Sequence, residues 1–243
     1  MIDFHTHILP GIDDGSKDPA ETLAMLEEEM RQGVDTVVAT PHFYARHSSV
    51  HHFLEKRRAA MEKVEDLLAS HPGLPSVICG AEVYYFPGMG RADQLAQLKV
   101  QGTDLLMLEM PFSQWTDQVL TDVREILRMQ ELKVILVHLE RFFPYQKDKR
   151  IWEEVLSLPL IVQVNTCALS EGFMQRRTAL RMLKLGLPTV LGSDCHHIDR
   201  RVPDMEQGIA VIEKKLGRTV VEECSRLAHD LLPADSVRKN VRE

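Results

Sequence analysis

Ile2-Asp-Phe-His5-Thr-His7-Ile-Leu-Pro-Gly-Ile-Asp13-Asp14-Gly15 opens the chain on a strand that runs into two histidines one residue apart. Alternate strand residues project from one face, so both imidazoles point the same way and can chelate one divalent ion. The pattern recurs. Thr40-Pro-His42, Gly80-Ala-Glu82, Leu108-Glu109, Val137-His138 and Ser193-Asp194-Cys-His196 each put a metal-type ligand where a β-strand should end. Asp194 and His196 repeat the spacing of the first pair. Buried polar groups at a strand end are costly unless something satisfies them. Six such ends imply a shared polar centre, and in parallel α/β folds function gathers at the carboxyl ends of strands.

Between these ends the chain alternates. Seven runs rich in β-branched or aliphatic residues cover 2–5, 36–40, 76–83, 105–110, 133–138, 160–165 and 188–192. Most are near-continuously apolar, as expected of strands covered on both faces. Helical stretches separate them. The first is punctuated by Asp18 as cap, Pro19 at the first helical position, Glu21 completing a capping box and Gly33 beyond its end. Leu23, Leu26 and Met30 recur along it at helical spacing. Further helices are expected at 51–70, 117–130, 149–156, 175–185, 203–215 and 220–232. Seven βα units predict an α/β fold, a distorted (β/α)7 TIM-like barrel forming a single domain over residues 1–243. An open doubly wound sheet is the alternative, but it binds ligand at one crevice. Ligands from six of seven strands converge readily only in a barrel.

Composition narrows the function. The chain has 243 residues, with 29 Lys and Arg against 36 Asp and Glu and a formal charge of −7, which argues against coating nucleic acid. Cys79, Cys167, Cys195 and Cys224 form no CxxC pair and read as reduced thiols of a cytoplasmic protein. The chain opens directly on a strand, and no apolar run approaches the ~20 residues of a membrane helix. No direct membrane insertion is expected, although membrane-associated partners are compatible. Nothing in the sequence fixes an oligomeric state.

The order His-x-His, Asp-Asp-Gly, Thr-Pro-His, Gly-x-Glu, strand-end His, Asp-x-His resembles the PHP (polymerase and histidinol phosphatase) superfamily. Within it, the chain is most similar to the manganese-dependent bacterial protein-tyrosine phosphatases of capsule and exopolysaccharide synthesis. His138-Leu-Glu-Arg141 and Gln163-Val-Asn165-Thr support the likeness, which runs from Ile2 to about Leu232. It implies two or three divalent ions, manganese first, with iron or zinc as alternatives. His5, His7, Glu82 and Asp194 would hold one ion. Glu82 would bridge to a second, completed by Glu109 and His138. Asp14, His42 and His196 would hold a third. Many superfamily members carry histidine where this chain has Asp14 and Glu109. Asp13 is the rival to Asp14, and either could serve only to shape the Asp-Gly turn.

The implied reaction is hydrolysis of phosphotyrosine by a metal-activated hydroxide attacking in line. Arg141 is placed to engage a phosphate oxygen through its planar fork, with Arg201 a second candidate and Arg200 its less favoured neighbour. The implied partner is a phosphotyrosine protein, specifically a membrane-associated bacterial tyrosine kinase that controls polysaccharide export. Which group protonates the leaving phenolate is open. Two other readings stand beside this one. They are a PHP phosphatase for a small phosphomonoester such as histidinol phosphate, and a non-catalytic metal-binding regulatory module.

Other features read more plainly. Cys195 and Arg201 have the spacing of cysteine-dependent phosphatases, but the intervening His196-His-Ile-Asp199-Arg200 lacks the small residues that let backbone NH groups wrap a phosphate. His47, His51 and His52 suit a solvated helix start. His197 should face away from His196. Phe43, Tyr44, Tyr84, Tyr85 and Phe86 suit packing of a barrel rim, and Met25 and Met30 suit the core.

Overall fold

The computed structural model describes residues 1–170 and 172–233, so the last ten residues of the expected domain lie outside the described residues. The chain runs β1 (Ile2–Thr6), α1 (Pro19–Arg31), β2 (Thr36–Ala39), β3 (His42–Phe43), α2 (Val50–Ser70), β4 (Ser76–Cys79) and β5 (Glu82–Tyr84). It continues through β6 (Leu105–Glu109), α3 (Asp117–Met129), β7 (Lys133–Leu136), α4 (Leu139–Phe142), α5 (Arg150–Leu156) and β8 (Ile161–Asn165). The last part comprises α6 (Cys167–Ser170), α7 (Phe173–Leu183), β9 (Thr189–Gly192), α8 (Met205–Leu216) and α9 (Arg218–Leu231).

Every strand pair is parallel. The order is β1-β2-β4 in one sheet and β3-β5-β6-β7-β8-β9 in the other. The two sheets are halves of one ring. Pro41 cannot donate to a ladder, so the second strand position is split into β2 and β3. Gly80-Ala81 splits the third into β4 and β5, where the sequence predicts one run over 76–83. Closure comes from the first and last positions: Asp194 N–H donates to His5 O at 2.8 Å and His7 N–H to Cys195 O at 2.9 Å. The result is a seven-position parallel barrel with two interrupted staves, which is the distorted TIM-like α/β barrel expected.

The barrel's interior is filled by alternate side chains of the staves. Phe4, Val38, Ile78, Met107, Ile135 and Val190 share one buried cluster, and Ala228 and Leu232 join it from the end of the chain. β8 departs from this rule. Gln163 pairs in register with Val190, and it stands fully buried where its neighbours place an apolar residue. The larger cluster lies outside the staves against the helices, and includes Val162 and Val164 from the other face of β8.

α1 starts as its sequence predicts: Asp18 accepts from Glu21 N–H at 2.9 Å. The Glu21 carboxylate reaches one residue further than a capping box requires and accepts from Lys17 N–H at 3.0 Å. Its buried stripe is Thr22, Met25, Leu26 and Glu29, and Met30 is largely exposed. This corrects the placement of Met30 in the core. The helix turns an acidic residue, Glu29, inward one position earlier, towards Asp3 and Cys195. The run predicted as strand over 133–138 stops at Leu136, because His138 takes a left-handed conformation with φ 32°.

Candidate metal centre

Nine side chains expected at the centre come together at the carboxyl end of the barrel. His5 Nε2 and His7 Nε2 lie 3.3 Å apart. Glu82 sits between the groups: its Oε2 is 3.3 Å from His5 Nε2, 3.2 Å from His7 Nε2 and 2.8 Å from His42 Nδ1, and its Oε1 is 2.7 Å from His138 Nε2. Glu109 Oε1 is 3.6 Å from His138 Nε2. Asp194 Oδ1 is 3.7 Å from His5 Nε2 and 3.5 Å from His7 Nε2. Asp14 Oδ1 stands 3.5 Å from His42 Nε2 and 3.7 Å from His196 Nε2. Three sets of these donors converge closely enough to hold an ion: His7, Asp14, His42 and His196; His5, His7 and Asp194; and His42, Glu82 and Glu109.

The imidazoles are aimed by what binds their other nitrogen. A backbone or carboxylate acceptor at Nδ1 keeps the proton there and presents the Nε2 lone pair. His7 Nδ1 lies 2.7 Å from Asp13 Oδ2, and His196 Nδ1 lies 2.9 Å from the Asp194 carbonyl. For His5 the acceptor is Gln163 Oε1 at 3.1 Å. That oxygen is itself fixed, because it also accepts from the His138 backbone N–H at 2.7 Å. Gln163 Nε2 donates to Asn165 Oδ1 at 2.8 Å, and Asn165 Nδ2 to Asp194 Oδ2 at 2.8 Å. One buried amide pair thus links His5 to Asp194. In the sequence this role is signalled only by a polar pair at i, i+2 inside an apolar strand.

Asp13 and Asp14 differ in kind. Asp13 accepts from the N–H groups of Gly15 at 3.0 Å and His42 at 2.9 Å besides facing His7. It shapes the turn and orients an imidazole. Asp14 has a side chain that is 69% exposed and points at His42 and His196. The turn is possible only with glycine: a Cβ on Gly15 would lie 2.2 Å from His7 O.

Asp194 divides its two oxygens. Oδ1 faces the imidazoles, and Oδ2 receives Arg201 Nη2 at 2.8 Å, Asn165 and Arg141 Nη1 at 3.4 Å. Asp194, His138 and Arg201 are three of the four non-glycine residues with positive φ among the described residues. Such backbone persists only where surrounding contacts hold it, and it clusters at functional sites. Both arginines, with Phe112, Tyr145 and Met174, line an open cavity of about 750 Å³ beside the centre.

The electrostatics describe a centre short of positive charge. Burial opposes ionisation of Glu82 and Asp194, yet the neighbouring His5 holds both carboxyls well below their usual range. Burial pulls on His7 too, but the Asp13 carboxylate keeps it protonated well above an ordinary imidazole. His138 and His196 are pushed down by burial, to about 4 and about 2. Burial, reinforced by the Glu82 charge, lifts Glu109 to about 8. Protons on His5, His7 and Glu109 stand where cations would otherwise balance the carboxylates, and metal binding displaces such protons. The residues fit divalent ions on a second ground. Glu109 Oε2 and His196 Nε2 are buried without a hydrogen-bond partner. Mixed imidazole and carboxylate donors suit manganese, iron or zinc.

The neighbours read more simply. Cys195 is fully buried, and burial pushes its thiol well above the ordinary value, so it is no thiolate nucleophile. His47, His51 and His52 are exposed at or before the first turn of α2. His197 turns away from the centre towards Glu21, 3.2 Å from its carboxylate. Phe43 and Tyr85 are buried in the rim, while Tyr44 packs on His42 with centroids 5.2 Å apart.

The family described as capsular polysaccharide synthesis, CpsB/CapC, matches residues 1–230. The tyrosine-protein phosphatase CpsB of Streptococcus pneumoniae is 29% identical over 238 residues, covering 92% of this chain and 94% of its own. The tyrosine-protein phosphatase YwqE of Bacillus subtilis (strain 168) is 26% identical over 230 residues, covering 89% and 85%. A solved structure from the study of YwqE and CpsB as unique metal-dependent tyrosine phosphatases superposes with a TM-score of 0.80. Its identity is 23%, and the match covers 96% of this chain and 94% of that one. At that identity the likeness speaks for the fold.

Proposed function

The chain belongs to the CpsB/CapC family of capsular polysaccharide synthesis, and on that premise we infer that it is a metal-dependent protein-tyrosine phosphatase. The observation that carries the reading is the convergence of imidazole and carboxylate donors around Glu82 and Asp194, with Asp194 also paired to the two arginines that line the adjoining cavity. His5, His7, Glu82 and Asp194 are assigned to a first ion, Glu82, Glu109 and His138 to a second, and Asp14, His42 and His196 to a third. Manganese is the ion we propose. Such ions, when bound, supply Lewis acidity and lower the pKa of water at the site.

The chain's own residues do the rest. Arg141 and Arg201 present planar forks to phosphoryl oxygens, and both are anchored through Asp194 Oδ2, so the phosphate site is tied to the ligand set. Arg141 also lies over the Phe112 ring, 5.0 Å from its centroid, which holds the guanidinium at the cavity wall. Phe112, Tyr145 and Met174 give the substrate's aromatic ring an apolar flank. The substrate we propose is a phosphotyrosine protein, a membrane-associated tyrosine kinase of polysaccharide synthesis, met in the cytoplasm. No helix among the described residues is long and apolar enough to cross a membrane.

The test is phosphate release from a phosphotyrosyl peptide by chelator-stripped protein, before and after manganese is returned. Activity only on return supports the reading. Activity in protein shown to be free of metal would sink it, and competition by histidinol phosphate reads out the small-molecule alternative.

A further inference from the structure

The phosphatase reading uses one flank of α7 and leaves the other unexplained. Met174, Gln175 and Thr178 face the cavity that holds Arg141 and Arg201. On the opposite flank, Arg176, Arg177, Arg181 and Lys184 join Phe173 and Lys215 around a second groove of about 500 Å³. No carboxylate lines it among the described residues, although the whole chain carries a net charge of −7. Two of the cations are already committed. Arg176 donates to the carbonyls of Leu169 and Ser170, and Arg181 lies over the Phe143 ring at 4.4 Å. Arg177, Lys184 and Lys215 are exposed and make no ion pair among the described residues. Between groove and cavity, the first turn of α7 holds up two apolar side chains, Phe173 at 76% and Met174 at 65% exposed.

We propose that this groove binds an acidic stretch of the substrate polypeptide adjacent to its phosphotyrosine. The proposal rests on the reading of the neighbouring cavity as the phosphotyrosine site. A helix with its side chains is about 10–12 Å across. An extended chain crossing it over Phe173 and Met174 needs about three or four residues. Acidic residues about three to six positions from the phosphotyrosine therefore fall among Arg177, Lys184 and Lys215. Exposed cations of this kind steer and hold a complementary partner, and their effect falls with salt. The concave shape and the helix shared with the cavity favour a polypeptide over a flat lipid surface.

The test compares two phosphotyrosyl peptides of equal length in manganese buffer, one carrying Asp and Glu at those positions and one neutral. They are given to wild type and to the Arg177→Glu, Lys184→Glu, Lys215→Glu triple variant. The wild type is expected to show a KM about tenfold lower for the acidic peptide at low salt, lost in the variant and shrinking as salt rises. p-Nitrophenyl phosphate should be hydrolysed equally by both proteins, which shows that fold and centre are intact. Equal KM values for the two peptides in the wild type, or an acidic preference that survives in the variant, overturns the proposal. Binding to phosphatidylserine vesicles that depends on the three cations, without any peptide preference, assigns the groove to lipid and also overturns it. If no phosphoester is hydrolysed, the phosphatase reading fails separately. Fluorescence anisotropy of the acidic peptide then still reads the groove: binding lost in the variant supports it, and absent binding overturns it.

Discussion

The Gln163 side chain does more than fill a gap in the barrel floor. Its oxygen is shared between the His5 ring and the His138 backbone N–H, and its NH2 group passes the constraint to Asn165 and on to Asp194. Partners of this kind typically contribute about 10–100-fold to metal affinity. Gln163→Ala is therefore expected to weaken manganese binding by about one to two orders of magnitude. Competition against a fluorescent chelator measures this without any turnover, and unchanged affinity would refute the relay. The Asp13 and Asp14 pair gives a second expectation, opposite for neighbouring residues. Asp14→Ala should leave thermal stability near wild type, because the side chain is largely exposed, while metal analysis finds about one ion fewer per chain. Asp13→Ala should cost about 1–3 kcal/mol in denaturant unfolding, since two N–H groups lose their acceptor. Identical behaviour of the two variants would dissolve the distinction. The sequence offered both aspartates for one role, because adjacent acids in a turn look alike until their directions are known.

At the scale of elements, the staves were legible because parallel strands covered on both faces leave long apolar runs. Their ends were less so. His138 looks like the last residue of a strand, but it is a left-handed residue that opens α4. The breaks at Pro41 and Gly80 divide two staves and turn His42 and Glu82 onto short strands of their own. No periodicity signals such a break, although Pro and Gly mark the spots. The short α6 and the α7 flank carrying Arg176, Arg177 and Arg181 had no pattern distinct from an ordinary amphipathic helix. Packing between staves yields a further expectation at Gly192, the last residue of β9. A Cβ there would lie 2.7 Å from the His5 Cβ and 2.9 Å from Gln163 Nε2. Gly192→Ala must push β9 away from β1 and β8, at a cost of about 1–3 kcal/mol for overpacking. Because the pressure falls on His5 and Gln163, metal affinity should drop together with the unfolding midpoint. A stable variant with wild-type affinity would show that the staves separate freely.

For the molecule as a whole, the convergence of ligands was readable because a barrel is the one parallel topology that brings six strand ends to a common point. What lies between β1 and α1 was not readable. Asp3 of β1 and Glu29 of α1 are both fully buried where the helix meets the strand, beside Cys195, and each leaves one carboxylate oxygen without a partner. This is why α1 turns Glu29 inward and Met30 out. Burial raises the Glu29 carboxyl well above its ordinary value, and the adjoining Asp3 charge raises it further. Asp3 itself is raised by burial. The pair holds a proton that the unfolded chain releases at ordinary carboxylate pH. The folded state then binds more protons than the unfolded one above about pH 4.5, so stability falls as pH rises from there through the folded-state value. This contribution is fully present below that window, and it runs opposite to that of salt-bridged carboxylates. Glu29→Gln keeps the shape and supplies permanent NH donors to Asp3, which removes the titration. Urea unfolding in chelator, at intervals from pH 5 to pH 9, should give a variant that matches wild type at the acid end and exceeds it increasingly at the alkaline end. A difference between the two that stays constant with pH would mean that the carboxyls between β1 and α1 do not share a proton.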